Sequence, residues 1–451
     1  MRSAEGSAPC PDARRSLRHA VALFALLIQG CQGCRERPSP PDAGGSQAPD
    51  ASQDGAAPGE APSRCTPEGA PRELPGGARL EVGDALVTDA GLVLGAVLPG
   101  EAGREGVLLR VSKDLSTLSR VDLGPAGDGD GIPQLFAEGG ALLVASYARS
   151  ASPRSMGTKL GAPPSKATRT LVLSRLEGDS LAVKVRVVQQ ADESFAFDLA
   201  QASATGGLVA WDEDSDKVVR GLVKVAPFEG AKLGEGIVAS PYETDADSPK
   251  LARRPGGYWL AWLAREPVAE GDAGVEDKQG AYLETPGEGR SHQWIEIVPT
   301  DDLGRAAGKV RRLTSSLGHV ASFELVPRGA EVDVLVHDGA LRGDGLGTRV
   351  FRIRMRDGKA GPPEELVGAG VGASSPTLLG AGAYLTFVDG AERTMLLGLG
   401  PDGGLSREGA ARSGRLVAAE GMTLWSFAQE GRHEEGPPIE PRAVLRKLRC
   451  R

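Results

Sequence analysis

The chain has 451 residues, with 52 Lys and Arg against 60 Asp and Glu and a formal net charge of −8. Hydrophobic residues make up 40% and aromatics 4%, while Gly (63) and Pro (32) are abundant. Such a balance excludes a wholly disordered chain and the basic surface of a nucleic-acid binder, and the length suits two or three ordinary domains or one large all-β unit.

The only long apolar run comes first. Ala20 to Ile28 (AVALFALLI) follows Arg14, Arg15 and Arg18, a basic region and an apolar core of secretory-signal length, too short for a mature bilayer span. The run ends in Ile28-Gln29-Gly30-Cys31, which resembles the bacterial lipobox. That resemblance implies cleavage before Cys31, a diacylglycerol on its thiol and an acyl group on its new amine. Gln29 is bulkier than the usual residue at its place, and Cys34, after Gly33, is a second candidate; an ordinary cleaved signal is the alternative. Gln32 stands where an Asp would favour the inner membrane, so the resemblance implies the outer membrane, on its periplasmic or surface face. Loss of residues 1–30 leaves 48 basic and 58 acidic side chains, net −10, so the lipid and not surface charge must hold the membrane.

Arg35 to Arg64 is dense in Pro, Gly, Ala, Ser and Asp and nearly free of apolar residues. It cannot bury a core and reads as a tether, spanning on the order of 30 Å from Cys31 to Cys65 as a coil. The expected organisation is a signal over 1–30, a lipidated cysteine and disordered tether over 31–77, and a folded body over 78–451.

In the body, short apolar runs with period-two alternation are separated by Gly, Pro and Asp turns, without a convincing helical period. One hairpin recurs, from Leu86, Leu135, Ala202, Lys250, Leu325, Thr377 and Arg415, with turn glycines Gly91, Gly140, Gly207, Gly257, Gly329, Gly382 and Gly421. A third alternating strand follows each, as in Gly106–Val111, Thr170–Leu173, Gln293–Ile297 and Val350–Met355, and usually a more polar fourth, as in Leu118–Leu123 and Leu181–Val188. Four strands per unit, repeated at about 55 residues, predict an all-β fold: a single β-propeller of seven four-stranded blades, with six or eight as alternatives.

The seventh unit supplies only three strands, the last being Ala443–Leu448. The strand Ala78–Val82 is expected to complete it, removing the open edges. Cys65 and Cys450 then flank the closure, and a secreted chain can keep them as a disulfide. Cys34 competes for either partner, and Cys450 as a free thiol is the remaining alternative. The segments Ile132-Pro133-Gln134-Leu135, Ser248-Pro249-Lys250-Leu251 and Ser375-Pro376-Thr377-Leu378 resemble repeats of bacterial periplasmic and surface propellers, of Tol or sialidase-like type. The resemblance implies a fold and no particular activity. Neither the sialidase Asp-box nor the Trp-Asp ending of WD repeats is present.

Propeller loops between strands two and three, and between blades, gather on one face. Two insertions fall there: the basic Arg149–Ala167 and the acidic Glu266–Gly289, each either functional or merely solvated. The same face is expected to collect Asp128, Asp130, Asp212, Asp214, Asp216, Asp245 and Asp247 as a candidate binding face. Alternating Asp is half of a calcium loop, the one cofactor the chain suggests, but no loop is complete and turn formation is the plainer reading. No metal site is assigned, because no histidine has zinc-ligand spacing. No nucleophile elbow or phosphate loop occurs, and His337-Asp338 is a weak pair, so no catalytic residue is assigned. Trp211, Trp259, Trp262, Trp294 and Trp425 lie on alternating strands and are expected between blades. The expected function is a monomeric, lipid-anchored, extracytoplasmic binding or scaffolding protein for a protein or glycan ligand. The alternative is a carbohydrate-active hydrolase or lyase with carboxylates in the central channel.

Overall fold

The computed structural model describes residues 65–100, 103–126, 131–137, 141–149, 169–190, 196–214, 221–267, 292–339, 341–342, 345–346, 349–367, 374–379, 384–388, 394–399, 405–411, 414–431 and 441–450. Within it the chain makes one antiparallel sheet after another. Blade 1 consists of Glu81–Thr88, Gly91–Gly100, Gly103–Ser112 and Leu118–Ala126; blade 2 of Gln134–Phe136, Leu143–Arg149, Arg169–Glu177 and Ser180–Gln190. Blade 3 runs through Phe197–Gln201, Gly206–Asp214 and Gly221–Glu229 to the short edges Lys232–Leu233 and Ile237–Val238. Blade 4 holds Asp245–Arg254, Gly257–Arg265, Trp294–Thr300 and Arg311–Arg312. Blade 5 holds Val320–Arg328, Glu331–Asp338 and Arg349–Arg356, edged by Lys359–Ala360 and Glu364–Val367. Blade 6 is Ser374–Leu379, Tyr384–Val388, Thr394–Leu399 and Leu405–Ala411; blade 7 begins with Arg415–Glu420, Thr423–Glu430 and Arg442–Cys450.

The first strand of every blade touches the first strand of the next, and that of blade 7 touches that of blade 1. Seven four-stranded blades therefore close into a ring, a seven-bladed β-propeller.

Closure differs from the expectation. The outer edge of blade 7 is covered by Cys65–Pro67, pairing with Leu448–Cys450, and by Arg72–Leu74, pairing with Ala443–Leu445. The stretch Ala78–Val82 does not complete blade 7: Gly77–Arg79 is a single 3₁₀ turn, and Glu81 and Val82 begin the inner strand of blade 1. Cys65–Pro67 and Arg72–Leu74, within the stretch that the sequence reading assigns to the tether, are thus strands of the folded body. The misleading signal is physical: Leu80 (0% exposed) and Val82 alternate like a strand because both pack into the seam between blades 7 and 1. Cys65 and Cys450 are joined by a disulfide, opposite each other in register.

Among the described residues the buried apolar side chains fall into seven clusters, one per seam. Each middle strand serves two seams. In Gly257–Arg265, Tyr258, Leu260, Trp262 and Ala264 pack toward blade 3, while Trp259, Ala261 and Leu263 pack toward blade 5. A strand buried on both faces reads as a continuous apolar run, as GYWLAWLA does. The five tryptophans all lie at these seams, 4% exposed or less. Their polar edges are placed too: the Trp262 and Trp294 Nε1–H groups both donate to Glu296, each at 3.1 Å, and Trp259 donates to Ala330 O across the blade 4–5 seam. At the hairpin turn, Gly257 (φ 141°) must be glycine, since a Cβ would stand 2.0 Å from Thr300 O.

Candidate functional site

The inner strands of non-neighbouring blades can meet only across the central channel, and charged side chains from four of them do. Asp84 (blade 1), Asp198 (blade 3), Lys250 (blade 4) and Glu324 (blade 5) influence one another electrostatically, and Lys250 Nζ pairs with Glu324 Oε1 at 2.8 Å. Arg415 of blade 7 donates to Val82 O and Gly83 O of blade 1 and feels Asp84.

These groups are positioned by a two-blade rhythm. Acids stand on the inner strands of blades 1, 3 and 5, in Asp84-Ala85-Leu86, Phe197-Asp198-Leu199 and Phe323-Glu324-Leu325; the inner strands of blades 2, 4 and 6 carry the Pro motifs. Asp84 Oδ2 accepts the Leu135 N–H at 2.8 Å, and Asp198 Oδ2 accepts the Leu251 N–H at 2.7 Å. In both seams the acid captures the amide two residues after the proline. The bulge explains how: in blade 4 the register slips between Asp247 and Lys250, and Ser248 is left-handed (φ 52°). Pro249 offers no N–H to the ladder, and the chain beyond it swings its next amides toward blade 3. In blade 5 the longer Glu324 reaches back to Lys250 instead.

Burial sets the electrostatics. Burial pushes the Asp198 carboxyl up to about 6, against the pull of Lys250 and the Leu251 amide. Asp84 is likewise raised by burial, against its bonds from Leu135 and Ala85 and the charge of Lys250. For Lys250 burial disfavours the ammonium, but Glu324, Asp198 and Asp84 together overcome it and hold its pKa above the ordinary lysine value. Burial also lowers Arg415, with Asp84 opposing.

Asp198 ionises near pH 6 in the fold against 3.8 as its ordinary value, so the folded chain keeps this proton longer than the unfolded chain. The resulting stability is fully present below about pH 4 and is lost as pH rises through 6, about 3 kcal/mol in all. Asp198→Asn keeps an oxygen for the Leu251 amide and does not titrate. Denaturant midpoints at pH 4.5 and 7.5 should show the variant gaining on the wild type as pH rises; a constant difference would contradict the assignment.

The expected binding-face aspartates divide. Asp212 and Asp245 are buried at the seam between blades 3 and 4 and are not displayed to a partner. Asp212 accepts the Ala196 N–H (2.7 Å) and the Ser248 N–H (3.2 Å), and Asp245 accepts the Gly221 N–H (2.7 Å) and pairs with Arg265. Asp247 is half-buried, 3.0 Å from Arg265, and raised by burial despite that arginine. Asp214 lies in the second strand of blade 3, opposite Gly221. Asp128, Asp130, Asp216 and Cys31 lie outside the described residues, as do most of both insertions. Among the described residues no group of three or more His, Cys, Asp or Glu could hold a metal ion, and no helix is long and apolar enough to cross a membrane. Sequence reasoning missed Asp84, Asp198, Lys250, Glu324 and Arg415; the available signal was an acid beside apolar residues in the inner strands of blades 1, 3 and 5.

Fold and channel together define the class, a seven-bladed β-propeller with charged latches between its inner strands. No known family profile matches the chain, and no curated protein matches it. Among solved structures it is similar to the GH93 α-L-arabinofuranosidase of Fusarium graminearum, at 10% identity and TM-score 0.41 over 77% of this chain and 98% of that one. The polysaccharide lyase Uly1 gives 8% identity and TM-score 0.45, over 81% and 89%. The β-propeller domain of the Trilobed protease from Pyrococcus furiosus gives 10% and 0.43, over 78% and 90%. Likeness at this level carries nothing about activity.

Proposed function

We propose that the protein is a lipid-anchored, extracytoplasmic, non-catalytic binding or scaffolding propeller, held by Cys31 at the outer membrane and recognising a protein or glycan through the loop-bearing face. The observation that carries this reading is the channel: its carboxylates accept amides of the neighbouring blade or pair with Lys250, so they work between blades. Recognition then falls to the face where strands two and three, and successive blades, are joined. Two of the exposed large apolar residues stand there, Tyr242 (58%) entering blade 4 and Leu317 (70%) entering blade 5.

A second reading, a carbohydrate-active hydrolase or lyase, is favoured by the raised Asp84 and Asp198, because perturbed acids in a cleft are what such chemistry requires. Against it, the described tryptophans are buried at the seams and offer no sugar platform.

Photoreactive side chains placed at Tyr242 and Leu317 in cells should crosslink one discrete partner or glycan. The same probes at Leu303 and Met422, in hairpins of the opposite face, should not. Crosslinks of equal strength from both faces, or from neither, would overturn the reading. For the anchor, Cys31→Ser should move the protein from the detergent phase to the aqueous phase on phase partition; unchanged partition would sink that part.

A further inference from the structure

His292 and His319, remote in sequence, are brought ring to ring where blade 4 hands over to blade 5 on the loop-bearing face. Their ring centroids lie 5.0 Å apart with planes tilted by 40°. The backbone beneath them is fixed. Gln293 and His319 form a parallel bridge, the Gln293 N–H donates to Gly318 O (3.0 Å), and the Gly339 N–H donates to His319 O (2.8 Å). The preceding turn is closed by the Gly318 N–H on Ser315 O (2.9 Å) and the Leu317 N–H on Ser315 Oγ (3.1 Å). A Cβ at Gly318 would stand 2.9 Å from Ser315 O and 3.1 Å from Gln293 O, so glycine is what lets these strands close up.

A spacing of 5.0 Å is within the range of an ordinary ring contact, and it is also close to what a shared ligand would impose. With a zinc–nitrogen bond of about 2.0–2.1 Å and roughly 1.1 Å from nitrogen to ring centre, two imidazoles on a tetrahedral ion have centroids about 5.2 Å apart. Asp338 pairs in register with Val320, next to His319; its Oδ2 takes Arg349 at 2.8 Å, and its buried Oδ1 has no hydrogen-bond partner. Imidazole pairs suit the borderline divalent ions, Zn²⁺ and Cu²⁺, over Ca²⁺ or Mg²⁺.

We propose that His292 and His319 form a two-imidazole site for a borderline divalent cation of the Zn²⁺ class. Among the described residues no third ligand completes it. The proposal does not depend on the anchor or on the crosslinking result.

Titration of the full chain with Zn²⁺ should show one ion bound per chain in the micromolar range. His292→Gln and His319→Gln should each weaken that binding at least tenfold, while His433→Gln leaves it unchanged. In the unsubstituted protein, substoichiometric Cu²⁺ should broaden the ring-proton NMR signals of two histidines together, a readout that does not depend on a variant folding. Absence of binding at millimolar Zn²⁺, binding that survives both substitutions, or a loss produced by His433→Gln would each overturn the proposal.

Discussion

Replacing Cys65 and Cys450 together by serine should lower stability by up to about 5 kcal/mol and Tm by on the order of 10 °C, with the fold retained. Every seam of the ring is spanned by continuous chain; closure within blade 7 alone joins the two ends of the body. There the disulfide links residues 385 apart in sequence, a loop at the long end of what a crosslink can restrict in the unfolded chain. What remains without it is thin. Cys65 is half-buried and Thr66 and Pro67 are exposed, and of Arg72–Leu74 only Leu74 (2% exposed) reaches the core. The pairs Lys447–Glu68 (3.0 Å) and Arg442–Glu73 (3.9 Å) are solvent-screened and hold little. Calorimetry in the presence and absence of a dithiol reductant checks the expectation, since reduction should reproduce the serine variant. Equal melting of all three samples would show that closure does not depend on the bond.

Trp262→Ala should cost about 4 kcal/mol. Trp262 is fully buried, at the seam between blades 3 and 4, and its removal opens a cavity among strands that lie in the middle of their sheets and relax poorly. It also takes one of the two indole donors from Glu296, itself buried at 8% exposure, and a buried acceptor left short adds to the loss. Trp262→Phe separates these effects: it keeps most of the packing and removes only the N–H, so its cost should be about 1–2 kcal/mol. Urea denaturation of both variants, with slopes compared to the wild type, provides the test. A phenylalanine variant as unstable as the alanine one would mean that the hydrogen bond, and not the volume, dominates.

The ring was legible because each blade repeats one strong local pattern. Gly257 marks a turn that only glycine can make, and the run from Tyr258 to Ala264 declares a strand buried on both faces. The five tryptophans were placed between blades for the same reason, alternation with no polar side to face water. The closing strand was not legible. Cys65-Thr66-Pro67 and Arg72-Glu73-Leu74 are short, polar and interrupted, as edge strands often are, and their pairing is set by the far end of the chain. The channel was readable only in part. The Pro motifs stood out, but their partners, Asp84 and Asp198, lie one blade back, and nothing local says that a carboxylate will capture an amide there. The Asp-rich loops misled in the opposite direction: Asp212 and Asp245 look like displayed acids, yet their acceptors are filled by amides of Ala196, Ser248 and Gly221. The two histidines of the blade 4–5 rim escaped notice because metal-ligand spacing in sequence is not the same as proximity across a seam.

The claim on which the functional reading rests is that the channel acids hold blades together. Native-state hydrogen exchange of the Leu135 and Leu251 amides measures it directly. In the wild type both should exchange slowly; Asp84→Ala should release Leu135 alone, and Asp198→Ala should release Leu251 alone. Rapid exchange at both amides in the unaltered protein would mean that the carboxylates stand free in the channel, and the enzymatic reading would then take precedence.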